Sequence, residues 1–190
     1  MENNFQMVAK TLFGFEDLLE KELTQLGGQR VKKGVRNVTF YGDTGFMYKC
    51  NLALRTAIKI LKPIASFKVI NEKDLYEKIY NIKWENYIDH TGTIAINSTV
   101  HSTVFTHSQY ISLKAKDAIV DRIRSISGER PSVDLKFPDL KINIHIDKLF
   151  CNVSLDSSGE SLHKRGYKTA TNIAPINEVL AAGLIMLSGW

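Results

Sequence analysis

The order of periodic segments in the first 68 residues is the feature that most constrains the fold of this chain. Alternating apolar residues predict four strands, and apolar residues spaced by three and four predict one helix after Gly14 and another after Asp43. The strands are predicted at 5–12, 30–33, 35–41 and 57–69. Strand, helix, strand, strand, helix, strand is the split βαβ plan of a ferredoxin-like domain. Pro63 interrupts the fourth strand and favours an edge position for it, because proline lacks a backbone donor.

A long amphipathic helix dominates the second half of the sequence. Between residues 111 and 126, apolar side chains recur every three or four positions, and the other faces are polar. Ser108 is predicted to cap the start of this helix, and Gly128 to end it. A shorter helix before it and four strands, one of them predicted at 133–136, complete a second predicted α/β unit. The last two strands are predicted to form a hairpin at Lys148.

Charged side chains on the long helix have two open interpretations. One set shares a face and could form ladder pairs worth about 0.3 kcal/mol each. These residues are Lys114, Asp117, Asp121 and Arg124. Alternatively, cations along and just beyond the helix could contact phosphate oxygens. Those candidates are Lys114, Lys116, Arg122 and Arg130.

The charge balance favours an anionic partner. The net charge is +5 and the isoelectric point is about 9.1. Residues 1–68 carry eleven Lys and Arg against six Asp and Glu, so the excess is N-terminal. A cluster of four cations without an acid surrounds Gly34 and predicts either a phosphate-tracking patch or a solvated hairpin. The cluster consists of Arg30, Lys32, Lys33 and Arg36.

Several classes of protein are disfavoured by absent patterns. The first ten residues lack a basic segment followed by an apolar core, and no apolar run reaches transmembrane length. Cys50 and Cys151 stand far apart without a CxxC partner, and no histidine pair has metal-ligand spacing. The serines lack a nucleophile elbow. We therefore expect a cytoplasmic protein without a membrane partner, a metal site or catalytic residues in this chain.

Specific strings in the sequence resemble a known family. SQYISLKAKDAIVDRIRSISGERPSVD, PDLKINIHIDK and SLDSSGESLHKRGYK are similar to the THUMP domain of bacterial RNA methyltransferases, and GFEDLLEKEL resembles the first helix of their ferredoxin-like domain. The nearest likeness is to enzymes that methylate guanine N2 in large-subunit ribosomal RNA. The resemblance covers essentially the whole chain. It implies an α/β (α+β) protein with a ferredoxin-like domain at 1–68 and a THUMP RNA-binding domain at 69–168.

The resemblance also implies a partner and a contact surface. The expected partner is RNA, with ribosomal RNA favoured and transfer RNA left open, and no DNA is expected. The residues expected to contact RNA are Lys114, Lys116, Arg122, Arg124, Arg130, His163, Lys164, Arg165 and Lys168. The loop SGESLHKRGY could instead be a tether between two domains.

Residues 169–190 resemble the segment that joins the THUMP domain to a methyltransferase domain. Pro175 is predicted at the first position of an apolar helix. The family's glycine-rich S-adenosylmethionine loop and its Asn-Pro-Pro-Tyr-like motif are missing from the sequence. We therefore expect this chain to be the N-terminal part of a longer polypeptide, with the cofactor bound by the missing domain. A stand-alone RNA-binding adaptor, the RNA-binding half of a tRNA-modifying enzyme and a small-ligand regulatory module remain alternatives.

Overall fold

The computed structural model describes residues 4–166 and 175–190. The chain forms two compact units, Met1–Lys62 with Ser157–Trp190, and Pro63–Asp156. We predicted domain boundaries at 68 and 168. Those boundaries stay a prediction. The described residues that follow Asp156 group with the first unit, where Ser157 N donates to Ile60 O at 3.0 Å and Leu162 N donates to Ile58 O at 2.8 Å.

In its described residues, the first unit contains an antiparallel sheet and three helices. Its elements are β1 (Phe5–Lys10), α1 (Glu16–Leu26), β2 (Gln29–Gly34), β3 (Asn37–Gly42), α2 (Thr44–Ala53), the start of β4 (Lys59–Lys68) and α5 (Glu178–Ser188). The strand order is β2-β3-β1-β4, so the predicted ferredoxin-like arrangement is confirmed. Buried apolar side chains from β1, α1, β3 and α2 form its core.

A buried carboxylate ties α1 to the segment that follows α2. Glu22 is only 5% exposed. Its Oε1 accepts from the Arg55 backbone N–H at 3.2 Å and from Arg55 Nε at 3.0 Å. Its Oε2 accepts from the Thr56 backbone N–H at 3.0 Å and from the Thr56 hydroxyl at 2.6 Å. Both oxygens are therefore satisfied, as a buried charge requires.

The second unit packs two helices against a mixed sheet. After the end of β4 it contains α3 (Glu72–Tyr80), a 3₁₀ turn (Trp84–Asn86), β5 (Thr93–His101), α4 (Ser108–Ser127), β6 (Ser132–Val133), β7 (Leu140–Asp147) and β8 (Phe150–Asp156). The strand order is β8-β7-β5-β6, with β5 parallel to both β7 and β6. The predicted hairpin is confirmed, since β7 and β8 pair antiparallel around Lys148, which has a φ of 54°.

Three local predictions were wrong. Ser108 is the first helical residue of α4 rather than its cap, and His107 precedes it without a capping side chain. The strand predicted at 133–136 is only two residues long, because the Asp134 side chain accepts from the backbone N–H groups of the next residues and turns the chain. Pro63 is not at an edge, since β4 has neighbours β1 and β8. Its missing donor is tolerated because β1 pairs with β4 only at 59–61.

The last helix, α5, begins later than predicted. Asn177, not Pro175, caps it, with its side-chain oxygen accepting from Val179 N at 2.9 Å and Leu180 N at 3.2 Å. One face of α5 is buried, but Leu187 and Trp190 remain largely exposed. Across the described part of the chain, no helix has both the length and the apolar character needed to cross a membrane.

Gly183 brings α5 close to the ring of Phe15. A Cβ atom added at Gly183 would lie 2.1 Å from Phe15 Cε2. Gly183→Ala should therefore loosen α5, although alanine favours an isolated helix by about 1 kcal/mol over glycine. We expect backbone amides of α5 to exchange with deuterium roughly tenfold faster in this variant, as a 1.4 kcal/mol loss of docking would produce. Leu184→Ala, at an exposed position of the same helix, is the control, and slower exchange in Gly183→Ala would contradict the packing.

Candidate nucleic-acid interface

The cations of α4 lie on two different sides of the helix. Residues two positions apart point about 200° away from each other in an α-helix. The Lys114 ammonium accordingly lies on the α3 side, 5.3 Å from the centre of the Tyr76 ring. Lys116 lies on the other side, where it lines a groove together with Leu113 and Val133. These two lysines therefore do not form one contact face.

The predicted charge ladder on α4 is wrong. Asp117 pairs instead with the adjacent Lys116, whose Nζ is 2.7 Å from the carboxylate. Asp121 accepts a hydrogen bond from the Tyr76 hydroxyl at 2.6 Å. This hydrogen bond, with smaller contributions from burial and from the negative charge of Asp121, raises the pKa of Tyr76 to about 12. Asp117 and Asp121 are thus engaged by Lys116 and Tyr76, and among the described residues Lys114 and Arg124 have no carboxylate within 4.0 Å.

Arg122 is held against the protein surface by a forked ion pair. Its Nη2 lies 2.7 Å from Glu85 Oε1, and its Nε lies 3.3 Å from Glu85 Oε2. The hydrogen bond from Arg122 holds the pKa of the Glu85 carboxyl below its usual range. The Arg122 side chain is 23% exposed and also lies over the Tyr80 ring. This geometry joins α4 to the 3₁₀ turn and pairs the Arg122 charge with a carboxylate.

Arg124 and Arg130 are the cations best placed for a ligand. Both are exposed, and within the described ranges neither has an acidic side chain within 4.0 Å. Arg124 lies on the outer surface of α4 in its last turn. Arg130 lies between the end of α4 and β6, the strand that borders the groove lined by Lys116. Lys116, Arg124 and Arg130 therefore form the basic set that we call the α4 patch.

The basic loop after β8 is largely engaged by the protein. The Arg165 guanidinium donates to the backbone oxygens of Leu52 and Leu54 at the end of α2, a favourable position for a cation at a helix C-terminus. Lys164 Nζ lies 3.8 Å from a Glu160 oxygen. The His163 ring nitrogen Nδ1 lies 2.8 Å from the Ser161 hydroxyl. Lys168 lies outside the described residues.

The cluster around Gly34 is partly neutralised. Lys33 forms an ion pair with Asp17 and lies 3.5 Å from a Glu20 oxygen, and the hydrogen bond to Asp17 raises the pKa of Lys33. Arg30 lies over the Tyr41 ring at 5.5 Å. Lys32 and Arg36 are exposed at the hairpin. The cluster therefore presents less net charge than its sequence indicates.

Sequence reasoning missed the apolar residues beside the α4 patch. Leu135 is 78% exposed and Phe137 is 82% exposed. Lys136 stands between them in the sequence. Aromatic side chains interleaved with cations are typical of surfaces that bind single-stranded nucleic acid. The string LKF at 135–137 carries this signal in the sequence, but a strand predicted at 133–136 does not indicate that these side chains are exposed.

Metal and thiol chemistry find no support in the described residues. Across 4–166 and 175–190, no group of three or more His, Cys, Asp or Glu side chains could hold a metal ion. Burial raises the pKa values of Cys50 and Cys151 to about 12 each. Both thiols are therefore protonated near neutral pH and poor nucleophiles.

Family comparisons match both halves of the chain. Residues 6–61 match the RlmL ferredoxin-like domain, and residues 69–156 match the THUMP domain. The chain is 42% identical over 177 residues to a Synechocystis sp. protein named "Putative RNA methyltransferase". It is 38% identical over 177 residues to the ribosomal RNA large subunit methyltransferase K/L of Syntrophotalea carbinolica. These alignments cover 93% of this chain, but 46% and 25% of the respective relatives.

Solved structures show the same partial coverage. A crystal structure from Listeria monocytogenes, described as a "predicted N6-adenine-specific DNA methylase", matches with a TM-score of 0.86 and 29% identity over 99% of this chain and 49% of its own. A crystal structure of SMU.472, described as "a putative methyltransferase complexed with SAH", matches with a TM-score of 0.84 and 30% identity, over 100% of this chain and 50% of its own. The chain thus carries an RlmL-type ferredoxin-like domain at 6–61 and a THUMP domain at 69–156, and it spans about half or less of the length of these relatives.

Proposed function

We propose that this chain is the RNA-binding region of an S-adenosylmethionine-dependent methyltransferase that modifies guanine N2 in large-subunit ribosomal RNA. The observation that carries the proposal is the succession of an RlmL ferredoxin-like domain and a THUMP domain in one chain. The K/L relative supports ribosomal RNA as the substrate. The solved relative with bound SAH supports S-adenosylmethionine as the methyl donor.

The α4 patch supports a contact with the RNA backbone. Guanidinium and ammonium groups contact phosphate oxygens without reading sequence, and they position a protein on RNA. Arg124 and Arg130 are exposed and lack acidic partners among the described residues, so they can meet phosphates without breaking an ion pair. Lys116 would exchange Asp117 for a phosphate. The role of this region is therefore to hold RNA while chemistry takes place elsewhere in the polypeptide.

The methyl donor would be bound outside this chain. The sequence of this chain contains no glycine-rich loop after a strand that could hold S-adenosylmethionine. The chain spans about half the length of the Synechocystis relative and a quarter of the K/L relative. We therefore assign binding and orientation of RNA to these residues, and methyl transfer to the rest of a longer polypeptide.

A methylation measurement in cells tests this function. Deleting the gene should remove N2-methylguanosine from one position of large-subunit ribosomal RNA, as measured by nuclease digestion and mass spectrometry. The native gene should restore it. A gene with Lys116→Gln, Arg124→Gln and Arg130→Gln should restore less than about a tenth of the N2-methylguanosine that the native gene restores. Weaker phosphate contacts reduce binding of the RNA substrate.

Other outcomes would reject the proposal. Loss of a modified guanine from transfer RNA alone would assign the chain to a tRNA-modifying enzyme. Loss of N6-methyladenine from DNA would follow the description of the Listeria relative instead. Unchanged nucleic acids, together with a stable complex between this chain and a separate methyltransferase, would identify a stand-alone adaptor.

A further inference from the structure

A groove on the β6 side of α4 has no assigned function. Its volume is about 370 Å³, within the range of small-ligand sites. Ile96 of β5 and Leu135 after β6 supply apolar surface. Ser112, Leu113 and Lys116 of α4 supply the opposite wall. The groove therefore combines an apolar slot with polar groups and a cation.

The edge of β5 that borders this groove is open. β6 pairs with β5 only at Thr93 and Ile94. Asp134 N donates to Ile94 O at 3.3 Å, which shows that the backbone groups of Ile94 point toward the β6 side. Because every second residue of a strand repeats this direction, the N–H and C=O of Ile96 and Ser98 point the same way. No described residue pairs with them on that side.

A groove with apolar walls beside unpaired backbone N–H and C=O groups has the chemistry needed to bind a planar heterocycle. The faces of a nucleobase are apolar enough to stack, and its edge carries N–H and C=O groups that pair with backbone groups. The phosphate attached to such a nucleotide would meet Lys116 at the groove wall. We propose that this groove binds one unpaired nucleobase of RNA, with the Ile96 and Ser98 backbone reading its edge. The proposal rests on the RNA-binding function argued above.

The charges around the groove favour RNA over an extended peptide. An open strand edge could also accept a peptide strand, because its backbone groups are unpaired. The cations Lys116, Arg130 and Lys136 adjoin or flank the groove-lining segments. The acid in the same segment, Asp134, uses its Oδ1 to accept from two backbone N–H groups, those of Lys136 and Phe137. The side chains that line the groove include one cation, Lys116, and no carboxylate, although Asp117 pairs with Lys116 from outside the lining. The lining therefore favours a phosphate over an acidic peptide.

The test fills the groove without removing charge. Ser112 lies on the groove wall, so Ser112→Trp should block it, whereas Ser125→Trp makes the same change at an exposed position near the other end of α4. The probes are three RNA hairpins of one sequence, with a bulged 2-aminopurine, with an abasic bulge and fully paired. The unmodified chain and Ser125→Trp should bind the bulged base about tenfold more tightly than the abasic bulge. Ser112→Trp should bind both equally, with no change in 2-aminopurine fluorescence.

Folding is controlled separately, because Ser112 shares a 2.6 Å hydrogen bond with Ser98. Gln109→Trp, at an exposed position of the same wall, should also remove the preference for the base while leaving that hydrogen bond intact. Equal affinity of the unmodified chain for all three hairpins would overturn the base site but leave RNA binding standing. A preference that survives both groove variants would overturn it too. If none of the hairpins binds, the RNA-binding function itself fails.

Backbone amide NMR distinguishes a nucleobase from a peptide strand as the ligand of the open β5 edge. The bulged hairpin should shift the amide signals of Ile96 and Ser98, and the abasic hairpin should shift them much less. Shifts produced by a strand-forming peptide but not by the bulged hairpin would assign the groove to a protein partner and overturn the proposal.

Discussion

Replacing Lys116, Arg124 and Arg130 with glutamine is expected to weaken RNA binding roughly fiftyfold at physiological salt. Each phosphate contact contributes about 0.7 to the slope of log affinity against log salt for single strands. Loss of three contacts should therefore make the slope shallower by about 2, and at about 0.15 M salt this corresponds to the stated loss. Fluorescence anisotropy with labelled RNA over a salt series measures both quantities.

A matched triple variant distinguishes the effect of where the charges lie from the effect of the total charge on RNA binding. Lys21→Gln, Lys73→Gln and Lys83→Gln removes the same three charges from exposed positions outside the α4 patch. It should change the slope by much less than the α4 variant. Equal effects of the two triple variants would show that only net charge matters and would remove the α4 patch from the account. Arg122→Ala should leave the slope nearly unchanged, because this side chain is held by Glu85.

The second large effect is expected on stability. Glu22→Ala should lower the free energy of unfolding by roughly 3 kcal/mol, as expected when a buried charged acceptor is removed. The change leaves the Thr56 backbone N–H and hydroxyl without acceptors in a site where Thr56 is fully buried. Urea unfolding followed by circular dichroism measures the difference.

Glu22→Gln is the control for this stability prediction. It keeps a carbonyl acceptor of nearly the same shape but removes the charge that pairs with Arg55. We expect about half the destabilisation of the alanine variant. A loss below about 1 kcal/mol in Glu22→Ala would mean that the surrounding donors find water, and that the carboxylate is not a structural centre of the first unit.

Much of the fold was predictable from local patterns. The alternating residues of β1 and β3 and the stripe of α1 determine which faces are buried, and these patterns are sufficient for the ferredoxin-like order. The errors occurred where a side chain or pairing partner overrides the pattern. The Asp134 side chain shortens β6 by accepting a hydrogen bond from the backbone N–H of Lys136. β8 lies beside β4, which Pro63 predicted to be an edge strand. The Asp134 turn is a local signal that the strand pattern overrode in the prediction, whereas the pairing of β4 with β8 has no signal in a window of neighbouring residues.

The candidate site was predictable only as a list of cations. Arg124 and Arg130 remain as predicted candidates with free charge. Arg122 and Arg165 could not be separated from them, because their partners are distant in sequence. Glu85 stands 37 positions before Arg122, and the Leu52 oxygen that accepts from Arg165 belongs to a residue 113 positions earlier. The groove beside α4 depends on the short pairing of β6 with β5, which no residue pattern indicates.

The central claim is that this chain binds RNA through phosphate contacts, and a salt titration tests it most directly. The 190-residue chain is titrated with fragments of large-subunit ribosomal RNA and with transfer RNA between about 0.05 and 0.3 M salt. The account predicts tighter binding to one ribosomal fragment than to transfer RNA, with log affinity falling linearly at a slope of roughly −2 or steeper. Absence of binding to every RNA at the lowest salt, or an affinity that does not change with salt, would contradict it.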